Sequence, residues 1–212
     1  MGIMHKNKLG VFGGTFNPVH RGHEITALEF YDKYSLDELL VIPSNIPPHK
    51  KNEAGVSPRD RFEMCQICFG KYTDRKIQVS DIEIKKEGVS YTYDTLAALV
   101  KIYPEDLIYF LVGSDMFLSI EYWHKYKELL DMCVFVAAFR QNGEADRDEA
   151  ARLCDKLINR GHRIELLENT AFEISSTAIR DRIKNGDLEG LGEYISPEVL
   201  DYIKERKIYV LQ

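Results

Sequence analysis

The chain has 212 residues, 44% of them hydrophobic and 29% charged. That fills one sizeable core with room for a small lobe, and it excludes disordered, collagen-like and coiled-coil chains. A formal net charge of −6 argues against a general nucleic-acid binder, since phosphate backbones are held by Lys and Arg, yet it leaves room for a small phosphate ligand on one local cluster.

In chain order, residues 9–12 form a short apolar strand and residues 22–34 a helix, with Ile25, Leu28, Phe30 and Tyr31 near helical spacing. Residues 38–42 read as a buried strand ended by Pro43, and the stretch through Val56 is a loop carrying Pro47, Pro48 and Gly55. Ser57 caps the next helix, with Pro58 at its first position and Asp60 close behind; it stops at Gly70. Residues 76–79 form a strand. A helix opens at Thr92 or Asp94 and closes before Pro104. LIYFLV (107–112) is continuously apolar, as a central parallel strand covered on both faces must be. A helix over 122–130, a strand over 132–137, a helix over 146–159 and a strand over 163–167 follow.

The alternation predicts an α/β fold: a Rossmann-like parallel sheet with helices on both faces. After residue 173 the character changes to helices over 176–184 and 197–205. The expected division is an α/β domain over 1–173 and a small helical C-terminal subregion over 174–212. No run of about 18 apolar residues marks a membrane span, and the first residues are too polar for a signal peptide. Four cysteines are too few for a disulfide scaffold, so the expected setting is reducing and cytoplasmic. Cys65 and Cys68 make one C-x2-C without a second pair, which reads as buried helix packing rather than a metal or redox site, and Cys133 and Cys154 read as packing too.

GVFGGTFNPVHRGH (10–23) is the most informative stretch. A strand ends at Phe12; Gly13 and Gly14 remove side chains where a phosphate could approach, and Thr15 adds a hydroxyl. The dinucleotide fingerprint and the P-loop are both absent. His20 and His23 instead sit three apart at a helix entrance, on one side of the turn, where imidazole N–H groups and the helix N-terminus suit phosphate oxygens. A metal site or a structural histidine pair is the competing reading, and no third ligand stands at suitable spacing.

Thr15-Phe16-Asn17-Pro18-Val19-His20-Arg21-Gly22-His23 resembles the first signature of the nucleotidylyltransferase superfamily, and Ile174-Ser175-Ser176-Thr177-Ala178-Ile179-Arg180 its second. Within it the chain is similar to bacterial nicotinate-nucleotide adenylyltransferases. Further resemblance lies in Ile42-Pro43-Ser44-Asn45 with Pro47-Pro48-His49-Lys50, in Ser90-Tyr91-Thr92-Tyr93-Asp94, in Gly113-Ser114-Asp115-Met116 with Trp123, and in Ile195-Ser196-Pro197-Glu198. Asn17 departs from the family's usual Asp, and Arg140-Gln141-Asn142-Gly143 from its Arg-Pro-Gly.

The resemblance implies adenylyl transfer from ATP to nicotinate mononucleotide, giving nicotinate adenine dinucleotide and pyrophosphate. It implies His20, His23 and Arg180 as catalytic. Gly13, Gly14, Thr15, Phe16, Asp115, Ser175 and Ser176 join them in the ATP site. Asn45, Lys50, Tyr91, Thr92, Tyr122 and Trp123 are the acceptor contacts, with Trp123 stacking on the pyridine ring. Magnesium is expected to enter on the triphosphate rather than in a protein-held site. Neither a nucleic acid nor a membrane is an expected partner, and no surface stripe assigns an oligomeric state. Transfer to nicotinamide mononucleotide or another phosphate acceptor, and a non-catalytic nucleotide sensor, stay open beside this reading.

Overall fold

A computed structural model describes residues 6–46, 56–86, 88–140, 144–170 and 174–210. In chain order the elements are β1 (Lys8–Gly14), α1 (Arg21–Tyr34), β2 (Glu38–Pro43), α2 (Pro58–Phe69), β3 (Ile77–Val79), α3 (Thr92–Ile102) and β4 (Leu107–Gly113). Then come α4 (Ser114–Leu118), α5 (Tyr126–Asp131), β5 (Val134–Arg140), α6 (Glu144–Ile158), β6 (Ile164–Asn169), α7 (Ser176–Lys184) and α8 (Pro197–Glu205).

The strands form one six-stranded sheet in the order β3-β2-β1-β4-β5-β6, and every pairing is parallel. The chain walks outward from β1 to β3, then crosses back to β4 on the other side of β1. The order therefore reverses between β1 and β4, and the crevice beyond their carboxyl ends is where an open α/β sheet binds ligands.

Each inner strand alternates its side chains between two cores, as the strand repeat requires. One holds Phe12, Leu39, Val41, Leu111 and Val136 against α1, α2 and the C-terminal helices, through Phe30, Met64, Ile179, Val199 and Ile203. The other holds Val11, Ile42, Phe110, Phe135 and Phe139 against α3 to α6, through Leu96, Phe117, Leu129 and Leu157. LIYFLV lies in the middle of this, buried on both faces.

Two sequence expectations need correction. The predicted helix over 122–130 is instead the end of a 3-10 turn at Ile120–Tyr122, a break, and the short α5 from Tyr126. Trp123 is extended and Lys125 left-handed (φ 52°), which breaks any continuous helix there. The helix after Tyr91 opens at Thr92, so Asp94 is inside its first turn rather than its cap.

Candidate active site

The reversal point brings the carboxyl end of β1 beside that of β4. Gly13 and Gly14 close β1, and Thr15 follows. At Gly14 the lack of a side chain serves packing. A Cβ on Gly14 would stand 2.9 Å from the Phe16 ring, and one on Gly13 would just touch Phe110 at 3.4 Å. Phe16, left-handed at φ 48°, folds its ring back over Gly14 and is 2% exposed. It packs edge-on against Phe12 and His23, with centroids 5.3 and 5.0 Å away. Its side chain thus braces a histidine from within the core, and only its backbone remains to face a nucleotide.

The two histidines build the start of α1. His20 is the N-cap: its Nδ1 accepts the Gly22 N–H at 3.1 Å, while its own N–H donates to His23 Nδ1 at 3.3 Å. This is a capping box made of two imidazoles. The rings lie 3.8 Å apart, tilted by 37°. Because each Nδ1 accepts a backbone N–H, the ring hydrogen of each neutral imidazole belongs on Nε2. The caps therefore fix the tautomer, with the hydrogen of both rings on Nε2. One turn on, buried Glu24 is ion-paired with Arg21 at 3.0 Å and with Lys71 and accepts the Tyr72 hydroxyl, so its charge near the helix entrance is balanced by two cations.

α7 arrives from the other direction. Ser175 caps it by accepting the Ala178 N–H at 3.1 Å. Ser176, the first helical residue, donates its hydroxyl to the Pro18 carbonyl at 3.0 Å. Arg180 is buried at 8% exposure and donates to the Asn17 carbonyl at 2.8 Å and to the Thr177 hydroxyl at 3.2 Å. The second motif thus grips the first through two backbone carbonyls. The Asn17 side chain is held separately, its Oδ1 accepting the Tyr209 hydroxyl at 2.5 Å.

Of the expected acceptor residues, Asn45 follows β2, Tyr91 and Thr92 open α3, and Tyr122 and Trp123 lie between α4 and α5. The Asn45 N–H donates to Ser90 Oγ at 3.1 Å and its side-chain amide to the Lys86 carbonyl at 2.7 Å. Tyr91 is the backbone cap of α3, half-stacked on His124 at 4.8 Å, and Thr92 is the first helical residue. Trp123 is half-buried, edge-on to Phe135 at 6.4 Å, with its indole N–H on Ser119 Oγ at 3.4 Å. Tyr122 points out and is 87% exposed. Asp115 is exposed in the first turn of α4, just beyond β4. Lys50 lies outside the described residues.

Sequence reasoning missed Arg61, Glu83 and Tyr209. Arg61 is 4% exposed and donates to the carbonyls of Thr15 (2.7 Å), Ser44 (2.6 Å) and Asn45 (2.8 Å). It thereby joins the loop after β1 to the loop after β2. A signal was present: Arg61 shares a helical stripe with the buried Cys65 and Cys68, and a cation on an apolar stripe needs a reason. The four cysteines are free and buried. Burial pushes the Cys68 and Cys133 thiols up to about 12 and raises Cys65 and Cys154 too. Among the described residues no group of three or more His, Cys, Asp or Glu is placed to hold a metal, and no helix is long and apolar enough to cross a membrane.

Residues 11–182 match the family described as Cytidylyltransferase-like. A protein named "Probable nicotinate-nucleotide adenylyltransferase" from Fusobacterium nucleatum is 38% identical over 186 residues, covering 87% of this chain and 92% of the relative. One of the same name from Geobacillus kaustophilus is 34% identical over 203 residues, covering 95% and 86%. The fold is that of the Plasmodium falciparum nicotinic acid mononucleotide adenylyltransferase solved with NaAD, with a TM-score of 0.75 at 19% identity over 96% of this chain and 98% of that one.

Proposed function

The chain belongs to the nicotinate-nucleotide adenylyltransferase family of nucleotidyltransferases, and on that footing we propose that it transfers the adenylyl group of ATP to nicotinate mononucleotide. What carries the reading is likeness over nearly the whole length to relatives of that name, joined to two histidine caps at the sheet's reversal point.

In this reading an acceptor phosphate oxygen attacks the α-phosphorus of ATP, one P–O bond forms, another breaks, and pyrophosphate leaves. The attacking phosphate is already ionised near neutral pH, so no strong base and no covalent intermediate are needed. The work is alignment and relief of charge crowding. His20 and His23 present Nε2–H groups to the triphosphate from the α1 entrance. The capped start of α7 adds backbone N–H groups, and Arg180 adds positive charge from beneath the loop whose Asn17 carbonyl it grips. Magnesium brought in on the triphosphate would offset phosphate charge, and exposed Asp115 at the end of β4 would be the carboxylate placed to meet such a mainly phosphate-bound ion. Trp123, with the backbone around Tyr91, Thr92 and Tyr122, forms the acceptor side, together with Asn45 and Lys50.

The test is pyrophosphate release with ATP, magnesium and each acceptor in turn. Preference for nicotinate mononucleotide is expected. Preference for nicotinamide mononucleotide, or no release with the nicotinate form, defeats the acceptor assignment.

A further inference from the structure

We propose that Arg61, Ser90 and Glu83 are positioning residues that form one polar chain through the Ser44–Asn45 peptide, locking the ATP-side loop to the acceptor-side segment. The proposal rests on the function proposed above for which side takes which substrate.

The chain can be followed atom by atom. The Arg61 guanidinium donates to the Ser44 carbonyl at 2.6 Å. The N–H of that same peptide, on Asn45, donates to Ser90 Oγ at 3.1 Å. The Ser90 hydroxyl faces the Glu83 carboxylate; burial pushes that carboxyl's pKa up while Thr95 and Ser90 draw it back, and Thr95 donates its hydroxyl to it at 2.8 Å. A cation, a peptide dipole and a hydroxyl are thus aligned head to tail with a carboxylate at the far end, the arrangement in which hydrogen bonds polarise one another. The same guanidinium reaches Thr15 beyond β1, and Thr95 lies within α3, so the chain spans both sides of the site. A backbone bridge between Ile46 and Val89 runs beside it, with the Ser90 N–H on the Ile46 carbonyl at 2.9 Å.

Stability alone does not account for this design. Arg61, Glu83 and Ser90 are 4%, 8% and 6% exposed. Among the described residues Arg61 has no carboxylate at ion-pair distance. Its balancing anion, Glu83, sits a peptide and a hydroxyl away. Burying two separated charges is costly, and an apolar pair of similar volume would avoid that cost. What an apolar pair could not do is orient three carbonyls and one N–H in loops that flank the reacting groups. A lysine has the charge but not the planar fork that reaches all three carbonyls.

Steady-state kinetics of the full chain separate the two sides. In S90A the acceptor KM should rise about tenfold, the scale of one lost hydrogen bond in a charged chain, with the ATP KM within about twofold. In R61K both KM values should rise, because Thr15 loses its partner too. E83Q, which keeps an acceptor oxygen but not the charge, should fall between wild type and S90A. Because either cut opens the same chain, the R61K/S90A double variant should show the acceptor KM of R61K alone rather than the product of the two effects. Multiplying effects, or an unmoved KM beside a lowered melting temperature, would overturn the proposal. Amide exchange of Asn45 by NMR needs no activity: at least about tenfold faster exchange is expected in S90A. Unchanged exchange overturns the chain itself. Faster exchange in a protein inactive with nicotinate mononucleotide overturns only the functional reading.

Discussion

On the proposed function His20 has two jobs, which one substitution cannot separate and two can. Its Nδ1 caps α1, and its Nε2 edge is assigned to phosphate. Replacement by Ala removes both. The lost cap is worth about 1 kcal/mol, which for a chain of this size lowers the melting temperature by roughly 2–4 °C. The lost donor should lower kcat by about 10²–10³, the usual scale for one preorganised donor at a reacting centre. Replacement by Asn separates the two. Its side-chain oxygen can accept the Gly22 N–H as a good N-cap does, but it cannot reach where Nε2 stands. His20→Asn should therefore melt within about 1–2 °C of the wild type while staying as slow as His20→Ala. Thermal melts and saturating pyrophosphate-release rates on the three proteins decide it. If Asn restores the rate to within about threefold, the histidine is only a cap and the catalytic reasoning is wrong. If Ala melts with the wild type, the capping energetics are wrong.

Other expectations follow from neighbouring contacts. Long-range ¹⁵N–¹H NMR should find the Nε2–H tautomer in neutral His20 and His23; an Nδ1–H tautomer in either would contradict the imidazole capping box. Tyr209→Phe removes a buried donor from Asn17 Oδ1 and should cost about 1–2 kcal/mol in denaturant unfolding, with a lowered transfer rate because Asn17 lies in the first motif. Although burial pushes the Asp60 carboxyl up, bonds from Ser57, Tyr202 and Arg206 outweigh it and hold the pKa below its usual 3.8. Its stabilisation is thus complete above that value and lost as pH falls through the lower folded-state value, so Asp60→Asn should lower the melting temperature at pH 7 and converge on the wild type in strong acid. With all four thiols buried and their pKa values raised, a thiol reagent should label none within minutes in the native protein and four after unfolding; rapid native labelling of Cys65 or Cys68 would revive the redox reading.

What could be read from the residues and what could not divides along a physical line. Strands buried on both faces, such as LIYFLV, carry their burial in composition, and caps such as Ser57 with Pro58 carry their position in local chemistry, so both were legible. The −6 charge was legible too, but it describes a surface, whereas the cations that matter here are buried: Arg61 and Arg180 are 4% and 8% exposed, with carbonyl oxygens as partners. A carbonyl belongs to every residue, so no residue type announces such a bond. The same limit explains Gly14. Its missing Cβ looked like room for phosphate, but the ring that needs the room is Phe16, and only the left-handed turn at Phe16 shows it. Ser176 likewise gives no sign in the sequence that its partner is the Pro18 carbonyl, far back in the chain. Motifs mark which residues meet, and main-chain oxygens set how they are held. The two signatures join through the carbonyls of Asn17 and Pro18, so a substitution that moves that loop's backbone should disturb Arg180 and Ser176 together even where no side chain of either motif is changed.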